Sequence, residues 1–182
     1  MPIKYLIILS LVAMLLVACN PVSTTSPPAT KPAKYEKITI SDVSWILRRD
    51  NGIDAEFVLP DKYYVIVDEK WFDEEVIPGF QFFLMRNGIS NYSQLRNDCD
   101  DFARAFSFYV RIKFRTMGYI DATPAVGDFY YQALDTGHAI NVGIFFDATG
   151  KKIVRFIEPQ APMSKIIIDD ETKKYYVKYL GI

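Results

Sequence analysis

Apolar and polar residues follow two different periods along this chain. Between Asn97 and Gly118, apolar residues recur every three or four positions, which predicts one long amphipathic helix. After Gly118 the period shortens and turn residues become frequent, which predicts a series of strands. The predicted strands span residues 128–134, 137–146, 152–158, 165–168 and 175–180.

The first half of the chain predicts shorter elements. Ser41 or Asp42 begins a helix that reaches Arg48, and residues 63–67 form a β-rich run. A second helix spans residues 68–76 and is stopped by the Pro78-Gly79 pair. Because helices come first and strands follow, the pattern predicts an α+β domain in which the long helix packs on an antiparallel sheet.

The N-terminal segment has the pattern of an export signal. Lys4 supplies a positive charge, and an uncharged apolar stretch follows from Tyr5 to Val17. That stretch is too short to span a bilayer comfortably but suits a signal peptide. It ends in Leu-Val-Ala-Cys at residues 16–19, which resembles the lipobox of bacterial lipoproteins. The resemblance implies cleavage before Cys19 and lipidation of its thiol; an ordinary signal peptide or a short membrane anchor is the alternative.

The segment after Cys19 predicts a spacer, because it is rich in proline, serine and threonine and has no apolar period. We therefore expect a signal peptide at residues 1–18, a lipid anchor and disordered spacer at residues 19–34, and one globular domain at residues 35–182. The chain carries 21 basic and 22 acidic residues and no basic stripe, so nothing in it predicts nucleic-acid binding. The expected location is the bacterial cell envelope, outside the cytoplasm and attached to the membrane through the lipid.

Cys99 is the one thiol left in the mature chain once Cys19 is lipidated. It falls in the first turn of the long helix, where the helix dipole favours a thiolate. Asp98, Asp100 and Asp101 oppose that charge, so the helix start calls for a cation. The alternatives are a buried structural cysteine beside carboxylates that only cap the helix.

His138 is the only histidine of the chain, and it lies at the start of a predicted strand. A thiol and an imidazole are the pair that a cysteine hydrolase needs, with a third group to orient the ring. Glu158 ends a predicted strand twenty residues later and is the candidate for that role. A packed or surface histidine and a strand-end surface charge are the alternatives.

These short motifs, Asn-Asp-Cys-Asp-Asp-Phe-Ala at residues 97–103, Gly-His-Ala at 137–139 and Glu-Pro-Gln at 158–160, resemble the C-terminal protease domain of the fungal agglutinin family. The resemblance implies a papain-like fold and a calcium-dependent cysteine peptidase that hydrolyses polypeptides. It implies Cys99 as nucleophile, His138 as base and Glu158 as the orienting group. It also implies Ca²⁺ (or Mn²⁺) binding by Asp100, Asp101 and Gln160, whose hard oxygen donors suit such ions.

Two departures from that family stand out. The N-terminal sugar-binding domain of the agglutinins has no counterpart here, and the oxyanion donor is unassigned, with Gln94 as a weak candidate. Two other functions stay open on the sequence: a peptidoglycan endopeptidase or amidase of the cell-wall type, and a non-catalytic envelope lipoprotein that acts as a binding module.

Overall fold

The computed structural model describes residues 30–89, 98–133, 136–160, 165–166 and 176–181. Its helices are α1 (Ile40–Trp45), α2 (Glu69–Trp71), α3 (Ile77–Arg86) and α4 (Cys99–Thr116). Two π-helical segments, Ile46–Asp50 and Phe72–Val76, continue α1 and join α2 to α3. None of the helices among the described residues is long and apolar enough to cross a membrane.

The strands are β1 (Tyr35–Thr39), β2 (Phe57–Val58), β3 (Tyr63–Asp68), β4 (Thr123–Pro124), β5 (Val126–Ala133), β6 (Thr136–Phe146), β7 (Lys152–Ile157), β8 (Lys165–Ile166) and β9 (Tyr176–Gly181). They form one sheet in the order β1-β3-β6-β5-β9-β2, with β4 beside β3 and with β7 joining β6 to β8. The β5–β6 and β6–β7 pairs are antiparallel, whereas β3–β6, β3–β4 and β2–β9 are parallel. The α+β prediction is confirmed, but the sheet is mixed rather than purely antiparallel.

Both faces of the sheet are covered, because successive strand side chains point to opposite sides. In β3, Tyr64 and Ile66 join a core on the α1 face, whereas Val65 and Val67 join a second core under α2, α3 and α4. The second core is rich in aromatic rings, and Phe80 and Phe106 meet edge to face with centroids 4.9 Å apart. The sheet is thus a central layer between two helical layers.

The long helix α4 confirms the sequence prediction. Asp98 caps its N-terminus by accepting the backbone N–H of Asp101 at 3.3 Å. Its C-terminal end is followed by Gly118, whose φ of 93° lies in the left-handed region. The inward stripe that faces the sheet consists of Phe102, Ala103, Phe106, Ser107, Val110 and Phe114.

The predicted helix stop at Pro78-Gly79 is wrong, since α3 runs through both residues to Arg86. Proline lacks an N–H and its ring collides with a carbonyl of the preceding turn in a regular α-helix. Here the preceding turn is π-helical, and the N–H of Ile77 bonds to the carbonyl of Phe72, five residues back. The wider turn gives the Pro78 ring room at the second position of α3.

Gly79 allows α3 and α4 to approach each other closely. A Cβ at this position would lie 2.1 Å from Tyr109 Oη and 3.2 Å from its Cζ. Tyr109 cannot easily move away, because its ring packs against Phe80 and Phe83 at 5.6 Å. The strands β1, β2 and β4, which the sequence pattern did not predict, are short or lie at the margins of the sheet.

We predict that Gly79→Ala lowers the free energy of unfolding by about 1–3 kcal/mol, as overpacking does, despite the higher helix propensity of alanine. Urea denaturation monitored by circular dichroism measures the effect. Gly137→Ala is the matched control, because a Cβ there meets no atom within 4 Å. Adding Tyr109→Phe to Gly79→Ala should restore part of the loss, and an unchanged or higher stability of the single variant would contradict the close contact.

Candidate functional site

The start of α4 places Cys99 close to the first residues of β6, Gly137 to Ala139. Cys99 is the first residue of the helix, directly after the Asp98 cap, and its free thiol belongs to a half-buried residue. Ala103, one turn further on, is fully buried against the sheet. The thiol therefore lies where the helix leaves the core.

Asn141 of β6 holds this part of α4 in position. Its Nδ2 donates to the carbonyl oxygen of Ala103 at 2.9 Å and to Ser107 Oγ at 3.0 Å. Asn141 is fully buried, and its Oδ1 has no hydrogen-bond partner among the described residues. A buried polar pair of this kind sets the register of the helix on the strand, because a shift would leave more polar groups unpaired.

A cleft opens beside the first turn of α4. It has a volume of about 360 Å³ and is lined by Cys99, Asp100, Tyr130, Tyr131, Gly137, His138 and Ala139. Tyr131 lies opposite His138 in the β5–β6 ladder, and the two rings meet edge to face with centroids 5.5 Å apart. Aromatic, imidazole, thiol and carboxylate groups thus converge on one small cavity.

His138 and Glu158 form a hydrogen-bonded pair. Glu158 Oε2 lies 2.8 Å from His138 Nε2, and both side chains are largely buried. The other carboxylate oxygen of Glu158 accepts the backbone N–H of Gln160 at 3.1 Å. Since an ionised carboxylate only accepts, Nε2 is the donor to such a carboxylate; in the neutral tautomer with its proton on Nε2, Nδ1 is the acceptor.

Three carboxylates crowd the N-terminus of α4. One oxygen from each of Asp98, Asp100 and Asp101 lies within 4.8 Å of the others. A hydrogen bond with the Asp98 side chain raises the pKa of Asp100, and the same bond lowers the pKa of Asp98. Arg104 offsets part of this charge, with Nη1 2.7 Å from Asp100 Oδ2.

The predicted site residues fall into three groups. Cys99, Asp100 and His138 line the cleft, Glu158 bonds to His138, and Asp101 joins the carboxylate cluster. Gln160 contributes its backbone to Glu158, and its Nε2 is buried without a hydrogen-bond partner in the described part of the chain. Gln94 and Cys19 lie outside the described residues. The roles assigned to all of these residues remain predictions.

Sequence reasoning missed Tyr130, Tyr131 and Asn141. The two tyrosines look like ordinary strand residues, and only the pairing of β5 with β6 brings them to the cleft. Asn141 carried a usable signal, since it is a lone amide within an otherwise apolar strand sequence. Such a residue requires a buried hydrogen-bond partner.

Asp128 lies behind the cleft in the same polar network as Asn141. Its carboxylate accepts a hydrogen bond from Ser107 Oγ and lies 3.3 Å from Asn141 Nδ2. Burial raises the pKa of Asp128, and the bond from Ser107 only partly opposes that effect. The carboxyl group is thus a pH-sensitive element of the α4–sheet contact.

Two solved structures have a similar fold. A lectin of Polyporus squamosus, solved bound to the human-type influenza-binding epitope Neu5Aca2-6Galb1-4GlcNAc, matches with a TM-score of 0.58 and 20% identity over 80% of this chain and 49% of the lectin. A structure described as "PSL1a-E64 complex" matches with a TM-score of 0.56 and 18% identity over 80% of this chain and 50% of that one. The chain therefore spans about half the length of these proteins. No family model and no curated protein matches the sequence.

These comparisons correct the function expected from the sequence. The similar structures are of a lectin, which contradicts a papain-like, calcium-dependent protease domain as the family of this chain. The predicted cysteine peptidase and its hydrolase activity are therefore wrong, and the papain-like description of the fold is not confirmed. A helix start packed beside a strand can bring a thiol and an imidazole to one cleft without any reaction between them, so their proximity does not by itself establish chemistry.

We predict that Asp128→Asn removes a loss of stability that the wild type shows as the pH rises. A buried acid with a raised pKa favours the folded state when protonated, so wild-type stability should fall, relative to the variant, as the pH rises above 3.8. Between the ordinary and the raised pKa of Asp128, the stability difference between the two proteins should change by about 1.4 kcal/mol per pH unit. Above the raised pKa it should stay constant. Urea denaturation of both proteins between pH 3.5 and 7 measures it, and a wild-type stability that rises relative to the variant would refute the assignment.

Proposed function

We propose that this chain is a lipid-anchored, non-catalytic protein of the bacterial cell envelope whose folded domain binds carbohydrate in the cleft at the start of α4. The observation that carries this function is the cleft itself, in which two tyrosines and an imidazole lie beside the Asp100 carboxylate, in a domain whose fold matches about half of a lectin chain. The envelope location rests on the signal and lipobox pattern of residues 1–19, which lie outside the described residues.

The size and lining of the cleft suit a small saccharide. Its volume of about 360 Å³ lies at the lower end of the range for ligand pockets, about 300–1,000 Å³. Tyrosine rings offer an apolar surface to the C–H face of a sugar. The Tyr130 hydroxyl is hydrogen-bonded to the Arg104 side chain, so we propose that its ring, rather than its hydroxyl group, meets the ligand. His138 Nδ1 is available in the proposed tautomer as an acceptor for a sugar hydroxyl.

Charge selects among saccharides. Asp100 lines the cleft and is close to Asp98 and Asp101, whereas Arg104 is the basic partner of Asp100. Without a bound cation, an anionic sugar would meet this negative charge, whereas the hydroxyls of a neutral sugar would donate to the carboxylates. We therefore expect the uncharged Galb1-4GlcNAc portion of the lectin epitope to bind better here than the sialylated trisaccharide.

A Ca²⁺ or Mn²⁺ ion belongs to the proposed site. The donors fit, because three carboxylates whose oxygens lie within 4.8 Å form a hard, negatively charged group. A hydrogen bond with the Asp98 side chain raises the pKa of Asp100, and the nearby charges of Asp98 and Asp101 add to that rise, so these carboxylates are close enough to share one cation. Asp98, Asp100 and Asp101 would hold the ion, and Gln160 remains a predicted fourth ligand. When bound, the ion would neutralise the cluster and offer coordination positions to sugar hydroxyls.

Calorimetric titration with Galb1-4GlcNAc tests the binding function. We predict saturable binding to wild type, with the affinity reduced at least tenfold in Tyr131→Ala and in His138→Ala. Trp45→Ala is the matched control, because Trp45 is an exposed aromatic residue that lines a different groove. With a chelator present, the sialylated trisaccharide should bind more weakly than the neutral disaccharide.

Cys99→Ala separates binding from catalysis. A binding site that needs no thiol chemistry should keep its affinity within about threefold in this variant. Absence of saturable binding to either sugar would contradict the carbohydrate proposal. Cleavage of any added glycan or peptide by wild type that stops in Cys99→Ala would contradict the non-catalytic role.

Thermal unfolding tests the ion. Sites of the extracellular type bind Ca²⁺ with dissociation constants of about 10⁻⁴–10⁻³ M, so 10 mM Ca²⁺ should stabilise the folded chain by roughly 1.4–2.7 kcal/mol. Asp100→Asn/Asp101→Asn should remove the stabilisation, whereas Asp54→Asn, which changes an exposed carboxylate far along the chain, should keep it. Equal melting temperatures with Ca²⁺ and with a chelator would rule out a structural ion.

A further inference from the structure

The solvent-facing side of α4 carries an unusual combination of residues. Phe108, Ile112 and Ile120 are 61%, 44% and 79% exposed and line a groove of about 620 Å³. Arg111 and Arg115 lie on the same helical face and line the same groove. We call the surface formed by Phe108, Arg111, Ile112, Arg115 and Ile120 the basic-apolar face.

The charge around the basic-apolar face is positive. Lys62, Arg111 and Arg115 line the groove together with only two carboxylates, Asp61 and Asp121. Lys37 Nζ lies 2.7 Å from Asp121 Oδ2 and compensates that carboxylate. Long arginine side chains can keep their charged ends among polar headgroups while their stems cover apolar surface.

The N-terminal part of the chain enters the domain beside this face. The ring of Tyr35 packs against Tyr119, which lines the groove, with centroids 5.3 Å apart. The carbonyl oxygen of Thr30 accepts from Trp71 Nε1 at 2.8 Å, and Trp71 packs against Phe114 near the end of α4. Eleven residue steps separate Thr30 from Cys19, so the anchor lies at most about 40 Å from this end of the domain.

We propose that the basic-apolar face docks on the anionic phospholipid surface to which the lipid on Cys19 attaches the chain. The inference rests on the proposed envelope location. A helix face that combines arginines with exposed phenylalanine and isoleucine is typical of helices that lie in a membrane interface. An anionic bilayer, rather than a neutral one, supplies the charge that complements Arg111 and Arg115.

Docking on this face would leave the cleft accessible. Cys99 lies sixteen residues before Arg115 on the same helix, about 24 Å along its axis. The bilayer would therefore cover the second half of α4 and the loop around Ile120. The carbohydrate cleft shares no lining residue with the groove and would lie outside the bilayer contact.

Vesicle co-sedimentation tests the docking without the lipid anchor. The chain from residue 20 onward contains every residue that the structure describes. We expect it to bind vesicles of phosphatidylcholine with 30% phosphatidylglycerol in 50 mM NaCl, and to bind pure phosphatidylcholine vesicles at least tenfold more weakly. Arg111→Glu/Arg115→Glu should lower the partition coefficient by at least 25-fold, because each lost cation lowers it by about fivefold. Ile120→Ser should lower it severalfold at constant charge.

Arg49→Glu/Arg86→Glu is the matched control, because it changes the net charge equally at residues outside the basic-apolar face. Circular dichroism checks that both double variants stay folded. An equal loss in both double variants, or equal binding to neutral and anionic vesicles, would overturn the proposal. So would binding of soluble heparin without vesicle binding, because the face would then fit a polyanion rather than a bilayer.

The anchor itself is tested separately by mass spectrometry of the mature wild-type chain. A mature chain without lipid on Cys19 would contradict the proposed envelope anchoring. The vesicle experiment would still test the docking face independently, because it uses the unlipidated chain. If the wild-type chain is lipidated on Cys19 but the unlipidated chain from residue 20 onward does not bind anionic vesicles, the docking face is contradicted and the anchor is not.

Discussion

The hydrogen bond from Asn141 Nδ2 to the carbonyl oxygen of Ala103 fixes α4 on the sheet, and the proposed site depends on it. Ala103 lies one turn after Cys99, and Asn141 lies three residues after His138. The bond therefore determines which helix residue meets which strand residue at the cleft. Asn141 Oδ1 stays buried and unpaired among the described residues, at a cost of about 1–3 kcal/mol. The fold accepts that cost at the position where the helix register matters.

Much of this architecture follows from the sequence pattern. The apolar period of α4, its Asp98 cap and its Gly118 ending are local signals, and the observed helix agrees with them. Glu158 could be placed near His138 because antiparallel neighbours bring residues of adjacent strands together. The π-helical turn before Pro78 could not be predicted, because no local sequence signal marks it, and the close approach of Gly79 to Tyr109 is a tertiary contact. Tyr130 and Tyr131 could not be identified as site residues without the β5–β6 pairing.

The sequence predicts the chemistry of the site less directly than it predicts the fold. A thiol, an imidazole and a carboxylate in short motifs favoured a hydrolase, but the solved structures of similar fold are of a lectin. The same residues also suit recognition: Glu158 orients the imidazole, the Asp100 carboxylate can accept a hydrogen bond from a hydroxyl group, and the tyrosines supply apolar surface. The function therefore depends on which ligand the cleft binds and on whether that ligand is chemically changed there. The proposed docking would place the basic-apolar face against lipid and leave the cleft outside that contact.

The central claim is that the cleft beside His138 holds a neutral sugar and leaves it intact. Proton NMR tests it directly, because His138 is the only histidine and its ring gives one pair of C–H resonances. We expect these resonances to shift saturably as Galb1-4GlcNAc is added, with the same midpoint in wild type and Cys99→Ala, while the disaccharide signals keep their intensity. Resonances that stay unchanged at millimolar sugar, or disaccharide signals that decay only when Cys99 is present, would contradict the claim.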